Sequence, residues 1–418
     1  MSAENRVPAI RFKGFDGEWV EKCLGEIGSL KNGMNFDKTA MGLGHPFVNL
    51  QDVFGKNEVS NVNLGLAFST VNQRKEYSLN EGDVLFIRSS VKPEGVGEAA
   101  VISKSLENTT YSGFIIRFRP NIEMDVNFNR FVYSTTNSRR QILASSTSSA
   151  NSNVNQDSLQ RIQLALPGRE EQTKIGNYFQ QLDTLIAQHQ QKQNKLLNLK
   201  KALLEKMFPK QGATVPEIRF KGFSGEWEEK AVGEDMNVTS VKRIHQSDWT
   251  ASGVRFLRAR DIVSAHKNEE PSDYLYITKE KYTEYSLLSG KVQPGDLLVT
   301  GVGTIGIPML IANDEPVYFK DGNIIWFKNE NKIDGMFLFY SFKHDGIQNF
   351  IKISAGTGTV GTYTIDSGKK TPIKLPEKNE QTKIGKIFKH LDTLITQHQA
   401  QLKKLNNIKQ ACLEKMFV

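Results

Sequence analysis

Glu171-Gln172-Thr173-Lys174-Ile175-Gly176 returns unchanged as Glu380-Gln381-Thr382-Lys383-Ile384-Gly385, and each copy opens a long segment of helical periodicity. From Glu171 to Phe208 and from Glu380 to Phe417 the two copies agree at 25 of 38 positions. Well upstream of each lies a second kept block, Val7 to Lys22 against Val215 to Lys230, which agrees at 13 of 16 positions. Between these blocks the halves barely agree. Two near-copies in one chain imply two similar units in a pseudo-twofold relation, which suits a partner that also has two related halves. Double-stranded DNA is such a partner.

The register nevertheless survives the divergence. Phe47-Val48-Asn49-Leu50-Gln51-Asp52-Val53 aligns with Phe256-Leu257-Arg258-Ala259-Arg260-Asp261-Ile262, so the halves share a framework and differ in chemistry. A chain of 418 residues is too long for one ordinary core, and the repeat sets the division at two globular domains, each trailed by a long helix. A net charge of +8 favours a polyanionic partner. Cys23 and Cys412 face Ala231 and Leu203 in the opposite copies, which reads as reduced thiols outside the shared framework. No apolar run approaches membrane-spanning length, and Met1 to Arg6 is too polar for a signal peptide, so a cytoplasmic protein without membrane contact is expected.

In the first half, short apolar runs at Phe47–Val53, Val84–Ile87, Ala99–Ile102 and Phe114–Phe118 are separated by Gly, Asn, Asp and Pro. The second half answers with Phe256–Leu257, Leu297–Thr300, Pro308–Ala312 and Asn323–Phe327. These read as strands of a mixed sheet, with helices at Asn127–Asn137 and Gly335–Lys343, each followed by a polar loop. In the repeated ends, Ile175, Leu182, His189, Leu196 and Leu203 recur every seven residues, flanked by Tyr178, Leu185 and Leu199. Ile384, Leu391, His398, Leu405 and Cys412 do the same in the second copy. Each helix of about 60 Å has its obvious partner in the other copy, and an antiparallel pair is expected. Pro209 and Lys210-Gln211-Gly212-Ala213 end the first helix.

Two variable regions, a repeated Leu-Pro-x-x-x-Glu-Gln-x-Lys-Ile block at Leu166–Ile175 and Leu375–Ile384, and a heptad helix closing each half resemble the specificity subunit of type I restriction-modification systems. The resemblance covers essentially the whole chain. It implies an α/β (α+β) protein with two mixed-sheet target recognition domains, at 1–167 and 211–376, separated by an antiparallel coiled coil of spacer helices at 168–210 and 377–418. It further implies that each recognition domain reads one half of a split DNA target. The helices would set the unspecified gap and dock two methyltransferase subunits, with restriction (helicase-nuclease) subunits joining. No cofactor is expected on this chain; S-adenosylmethionine, ATP and Mg belong on the partner subunits. Half-sites about one DNA turn apart, roughly 34 Å, are within reach of such a spacer.

Three matched pairs of segments are candidate readers. Asn49 and Gln51 stand where the second half has Arg258 and Arg260; Asn or Gln can pair with adenine and Arg with guanine, although solvated or intradomain roles fit the same positions. Arg88, Ser89, Ser90 and Lys92 follow one strand, and Thr300 to Thr304 follow the matched one. Gly301 to Gly306 formally spells G-x-G-x-x-G, but Pro308 and a following strand leave no helix N-terminus for a pyrophosphate, so a tight hairpin or close approach to a DNA phosphate is expected. The Ser- and Gly-rich loops Ser145–Asn153 and Ser354–Thr362 read either as linkers or as contacts to DNA or methyltransferase through Ser148, Asn151, Thr357, Thr359 and Thr362. Arg139-Arg140 and Lys242-Arg243 are phosphate candidates or plain solvated charge. His189 and His398 lack acidic or Cys companions at ligand spacing, which favours register-fixing seam residues over a metal site. The opening blocks around Trp19 and Trp227 and the exposed helix faces are the expected methyltransferase contacts.

Two competing function classes remain: a self-contained DNA methyltransferase or nuclease, and a two-domain protein-binding scaffold. Against the first, the chain has no Asn-Pro-Pro-aromatic tetrapeptide, no Walker A sequence and no H-E-x-x-H.

Overall fold

The computed structural model describes residues 6–148, 151–356 and 361–418. The chain forms two compact units, Met1–Gln190 with Ala400–Val418, and Gln191–Gln399. Each unit therefore holds one globular domain, the start of the helix that follows it, and the end of the other long helix.

In the first unit, Val84–Ile87 lies inside an antiparallel sheet of order Gly28–Asn32, Ile115–Pro120, Val84–Ile87, Ala99–Val101. All residues of Val84–Ile87 are buried because both faces of the sheet are covered, which is why the run is continuously apolar. By the two-residue period, Val84 and Phe86 join a core with Trp19, Phe128 and Phe179, while Leu85 and Ile87 join Val48, Tyr111 and Ile115 on the other face. The second core rests on a small sheet of Gly65–Ala67, Met41–Val48 and Thr110–Tyr111. The second unit repeats this plan with Asn237–Thr239, Ile324–Lys328, Leu297–Thr300 and Pro308–Leu310. There Leu297 and Val299 pack with Phe337 and Phe388, and Leu298 with Phe256 and Tyr318.

Three expectations are corrected. Phe47–Val53 is not one strand: the strand ends at Val48, and Asn49 caps a helical turn at Leu50–Val53, its backbone N–H donating to Asp52 at 2.9 Å. Asn127–Asn137 is not one helix followed by a loop: helices Val126–Val132 and Thr136–Ala144 meet at Thr135, whose Oγ1 accepts from Ser138 N–H at 3.3 Å. Gly335–Lys343 is likewise followed by a second helix, Asp345–Ser354.

The long helices span Arg169–Lys206 and Lys378–Lys415, 38 residues each. Within the first unit their segments run antiparallel: Tyr178 meets Cys412 at 3.6 Å, and a few residues on, Lys409 donates to Asp183 at 2.6 Å. In the second unit Lys200 pairs with Asp392, and Leu196, Leu203 and Met207 share a core with Ile384, Ile387 and Leu391. The covered stripe is narrower than the heptad pattern, for Leu185 and Leu199 remain 42% and 47% exposed. Among the described residues no helix is long and apolar enough to cross a membrane.

The kept blocks form one joint, built twice. Arg11 donates through Nε and Nη2 to Glu171 at 2.7 Å each, and Arg219 donates to Glu380 at 2.8 and 2.7 Å. Each arginine also reaches a glycine carbonyl, Gly17 or Gly225, whose φ values of 77° and 83° place them in the left-handed region. Gln172 donates to Pro167 O at 2.9 Å and accepts from Asp125 N–H at 3.0 Å; Gln381 does so with Pro376 and Asp334 at 2.8 and 3.0 Å. Thr173 and Thr382 donate to those same aspartates at 3.0 Å, and Lys174 and Lys383 lie over Phe15 and Phe223. Ile175 and Ile384 are buried. A Cβ on Gly176 would stand 2.5 Å from Phe128 N, and one on Gly385 2.8 Å from Met336 Cβ. Every residue of Glu-Gln-Thr-Lys-Ile-Gly thus has the same structural duty in both units.

Candidate nucleic-acid interface

A ladder of backbone hydrogen bonds in the first unit gathers the three candidate segments. Ser112 N–H donates to Val48 O at 3.0 Å, beside Asn49. Arg88 N–H donates to Phe114 O at 2.8 Å, and Val154 N–H donates to Arg88 O at 2.9 Å. Beyond Arg88, Ser89–Ser90 pairs with Ser152–Asn153, which pairs in turn with Thr147–Ser148. The second and third candidate loops are therefore one small sheet. In the second unit Gly301 N–H donates to Asn323 O at 2.8 Å, Tyr363 N–H to Gly301 O at 2.8 Å, and Val302 bridges Thr362.

These bonds also correct a register. Ile87 pairs with Ile115 and Thr300 with Ile324, so Thr300 matches Ile87, and Arg88 matches Gly301. Thr300 is fully buried; its Oγ1 donates to Thr304 O at 2.6 Å and accepts from Ile307 N–H at 2.9 Å, locking the hairpin. Because burial denies it to a nucleic acid, Thr300 leaves the set of candidate contacts, while Thr304 stays exposed at the turn. The glycine-rich loop leads into strand Pro308–Leu310, with Gly303 and Gly306 at φ values of 77° and 78°. It is a tight turn with no helix behind it.

The remaining candidates divide by what already holds them. Asn49 accepts from Leu50 N–H at 2.9 Å as a helix cap, while Gln51 is exposed. Arg258 is engaged within its domain: its guanidinium spans Asp261 at 3.0 and 3.1 Å and Asp273 at 2.8 Å. Arg260 pairs with Asp273 too. The Arg258 guanidinium, with Ser272, holds the Asp273 carboxyl down at about 2. Arg139 is a clamp, donating to Glu94 O at 2.7 Å and Val96 O at 2.9 Å beneath the turn that follows Lys92; burial lowers its pKa. Arg140 and Lys92 are exposed, and Arg88 reaches Gly113 O at 3.4 Å. Lys242 is exposed although both of its backbone groups are bonded, and Arg243 pairs with Asp321 at 2.8 Å. Asn151 is exposed, Ser148 lies in a strand, and Thr357 and Thr359 fall outside the described residues.

Sequence reasoning missed Phe114, which is 57% exposed beside Arg88 at the head of the candidate sheet. Its match by hydrogen bonding is Asn323, so a constant backbone corner carries Arg88 and Phe114 in one unit and Gly301 and Asn323 in the other. Within the opening blocks expected to meet a partner, Trp19 and Trp227 are each 2% exposed and are core anchors. The opening blocks instead expose matched apolar residues, Val7 and Ile10 in one and Val215 and Ile218 in the other. Among the described residues no cluster of His, Cys, Asp or Glu is placed to hold a metal ion.

The sequence model of the type I restriction modification DNA specificity domain matches residues 16–198 and again 225–407. A putative type I restriction enzyme specificity subunit of Haemophilus influenzae is 32% identical over 122 residues, 28% of this chain and 30% of that relative. A type I restriction enzyme specificity subunit of Methanocaldococcus jannaschii is 27% identical over 336 residues, 77% of this chain and 75% of the relative. Among solved structures, the S subunit of a type I restriction-modification system from M. genitalium shares the fold, with a TM-score of 0.62 at 15% identity over 99% of each chain.

Proposed function

Because this chain belongs to the family of type I restriction-modification DNA specificity subunits, which are non-catalytic, we propose that it reads an asymmetric, two-part DNA target for its complex. Each variable domain reads one half, through the small sheet and turns gathered around Phe114 and around Asn323. The observation that carries this reading is the corner itself: main-chain bonds in the same pattern hold different side chains in the two units. Phe114 offers an apolar face for a thymine methyl or an unstacked base, and Asn323 offers an amide suited to adenine. Arg88, Lys92, Arg140 and Lys242 supply phosphate contacts.

The long helices set the unspecified gap; at 38 residues each is about 57 Å long. Two methyltransferase subunits dock on the repeated surfaces, where exposed Val7 and Ile10 in one opening block match exposed Val215 and Ile218 in the other. Similar patches presented twice fit two copies of one partner. Restriction subunits join that core in the cytoplasm, and S-adenosylmethionine, ATP and Mg act on the partners. The test is to combine the purified chain with the methyltransferase subunit and S-adenosylmethionine and to map methylated adenines. Methylation at one split sequence, absent without this chain, is expected. Adenine methylation by this chain alone would refute the assignment.

A further inference from the structure

A recess of about 590 Å³ in the second unit lies where its domain meets the long helices, and it shares no residue with the candidate nucleic-acid interface. Met309, Met336 and Phe339 line an apolar wall; Lys200, Lys343, Lys389 and His266 line the rest, against the single carboxylate of Asp392. That carboxylate is already spent: Lys200 pairs with one oxygen and Tyr340 Oη donates to the other at 2.6 Å. Lys343 is left over the Phe339 ring, 4.3 Å from its centroid, with no carboxylate of its own. Burial, aided by Lys200, pushes the Lys343 amine down to about 8. An anion beside such an amine stabilises its charged form and raises its pKa back toward the ordinary value.

The first unit supplies an internal control. Its matched recess, about 960 Å³, places Asp183 and Lys409 where the second has Asp392 and Lys200, and Ser134 where the second has Lys343. There Lys409 reaches Asp183 at 2.6 Å, Arg130 reaches Glu58 at 3.2 Å, and Glu98 lines the same wall. Four cations face three carboxylates in that recess, whereas three lysines face one carboxylate in the second. The cationic surplus is therefore two in the second unit against one in the first, and the added charge, Lys343 in place of Ser134, is not a consequence of the shared framework.

We propose that the recess of the second unit binds a small phosphate ester, its phosphate paired with Lys343 and Lys200 and its apolar or planar body laid along Met309, Met336 and Phe339. The volume suits a mononucleotide-sized ligand. A DNA duplex phosphate brings only deoxyribose with it and would leave the apolar wall uncovered, so a free ester is the better occupant. The inference does not depend on the DNA-reading proposal, and its test contains no DNA in the first arm.

Adenosine 5′-monophosphate and inorganic phosphate are titrated into the full chain by calorimetry, with sodium chloride at equal ionic strength as control. In parallel, labelling of Lys343 by acetic anhydride is followed by mass spectrometry. The expected results are binding of the monophosphate, protection of Lys343 from labelling, and affinity about tenfold weaker in Lys343→Met but largely kept in Lys343→Arg. No binding heat beyond that of sodium chloride, unprotected Lys343, or unchanged affinity in Lys343→Met would overturn the proposal. Displacement of the bound monophosphate by a short duplex would assign the same phosphate chemistry to the DNA backbone and overturn the small-ligand site.

Discussion

Replacing Arg219 by alanine removes one half of the joint in the second unit while leaving its twin, Arg11 with Glu171, intact. Glu380 is fully buried and the Arg219 side chain is only 14% exposed, so the substitution strands a carboxylate away from water. Breaking a buried pair in this way costs about 3–5 kcal/mol, and the lost bond to Gly225 O about 1 kcal/mol more. Water entering the space left by the partly exposed arginine offsets some of this, which makes about 3 kcal/mol the reasonable expectation. For a unit spanning Gln191–Gln399, roughly 200 residues, unfolding entropy near the midpoint is about 0.4 kcal/mol per kelvin, so the melting temperature should fall by about 7 °C. Differential scanning calorimetry of the full chain measures it. Arg219→Lys should recover little, because an ammonium cannot make the two parallel bonds. The double variant Arg219→Leu with Glu380→Met should recover most of the loss, because no buried charge is then left unpaired. A shift under about 2 °C in Arg219→Ala would show that the joint contributes little and that its repetition needs another reason.

Lys343→Met should stabilise the ligand-free chain by on the order of 2 kcal/mol at pH 7. The folded-state amine sits at about 8, below its ordinary 10.5, so the unfolded chain binds more protons between those values. Wild-type stability therefore rises with pH across that window, and the advantage of the variant should vanish by the top of it; urea denaturation showing a pH-independent difference would refute the assignment. Phe114→Ala should cost about 1–3 kcal/mol of binding and relax one half of the mapped target, while Asn323→Ala acts on the other half. Equal loss at both halves from either variant contradicts the division of labour. Lys92→Gln and Lys242→Gln should each lower the slope of log affinity against log salt by about 1 without changing the bases read. An unchanged slope removes that lysine from the phosphate contacts.

The frame was readable in the sequence because it rests on local rules. Val84–Ile87 and Leu297–Thr300 are continuous apolar runs because both faces of their sheets are buried, and the same bounds appear in both sequence and structure. The turn at Asn49 was readable too, since Asn49 and Asp52 have capping-box spacing, but the surrounding apolar residues favoured a strand. Two kinds of information were out of reach. Arg11 and Glu171 are 160 residues apart, so the duplication of both blocks could be seen while the bond joining them could not. For Arg258 the sequence leaves base contact and intradomain pairing both open, because Asp273 comes beside it from a separate loop. Phe114 reads as core because it abuts Ile115 and Ile116, which are buried, yet it lies one residue before the paired strand begins.

That last position explains how such a surface can vary without loss of the fold. The corner at Phe114 is held by a carbonyl accepting from Arg88 N–H, and the corner at Asn323 by a carbonyl accepting from Gly301 N–H, both at 2.8 Å. Main-chain groups make these bonds whatever side chain they carry, so exchanging an exposed residue there leaves the ladder intact. The Glu-Gln-Thr-Lys-Ile-Gly joint has no such freedom, because its bonds are made by the side chains themselves and by the absence of one at Gly176 and Gly385. At these two places, then, the atoms that hold the structure decide what can change: side-chain bonds fix the repeated joint, and main-chain bonds leave the corner free to differ.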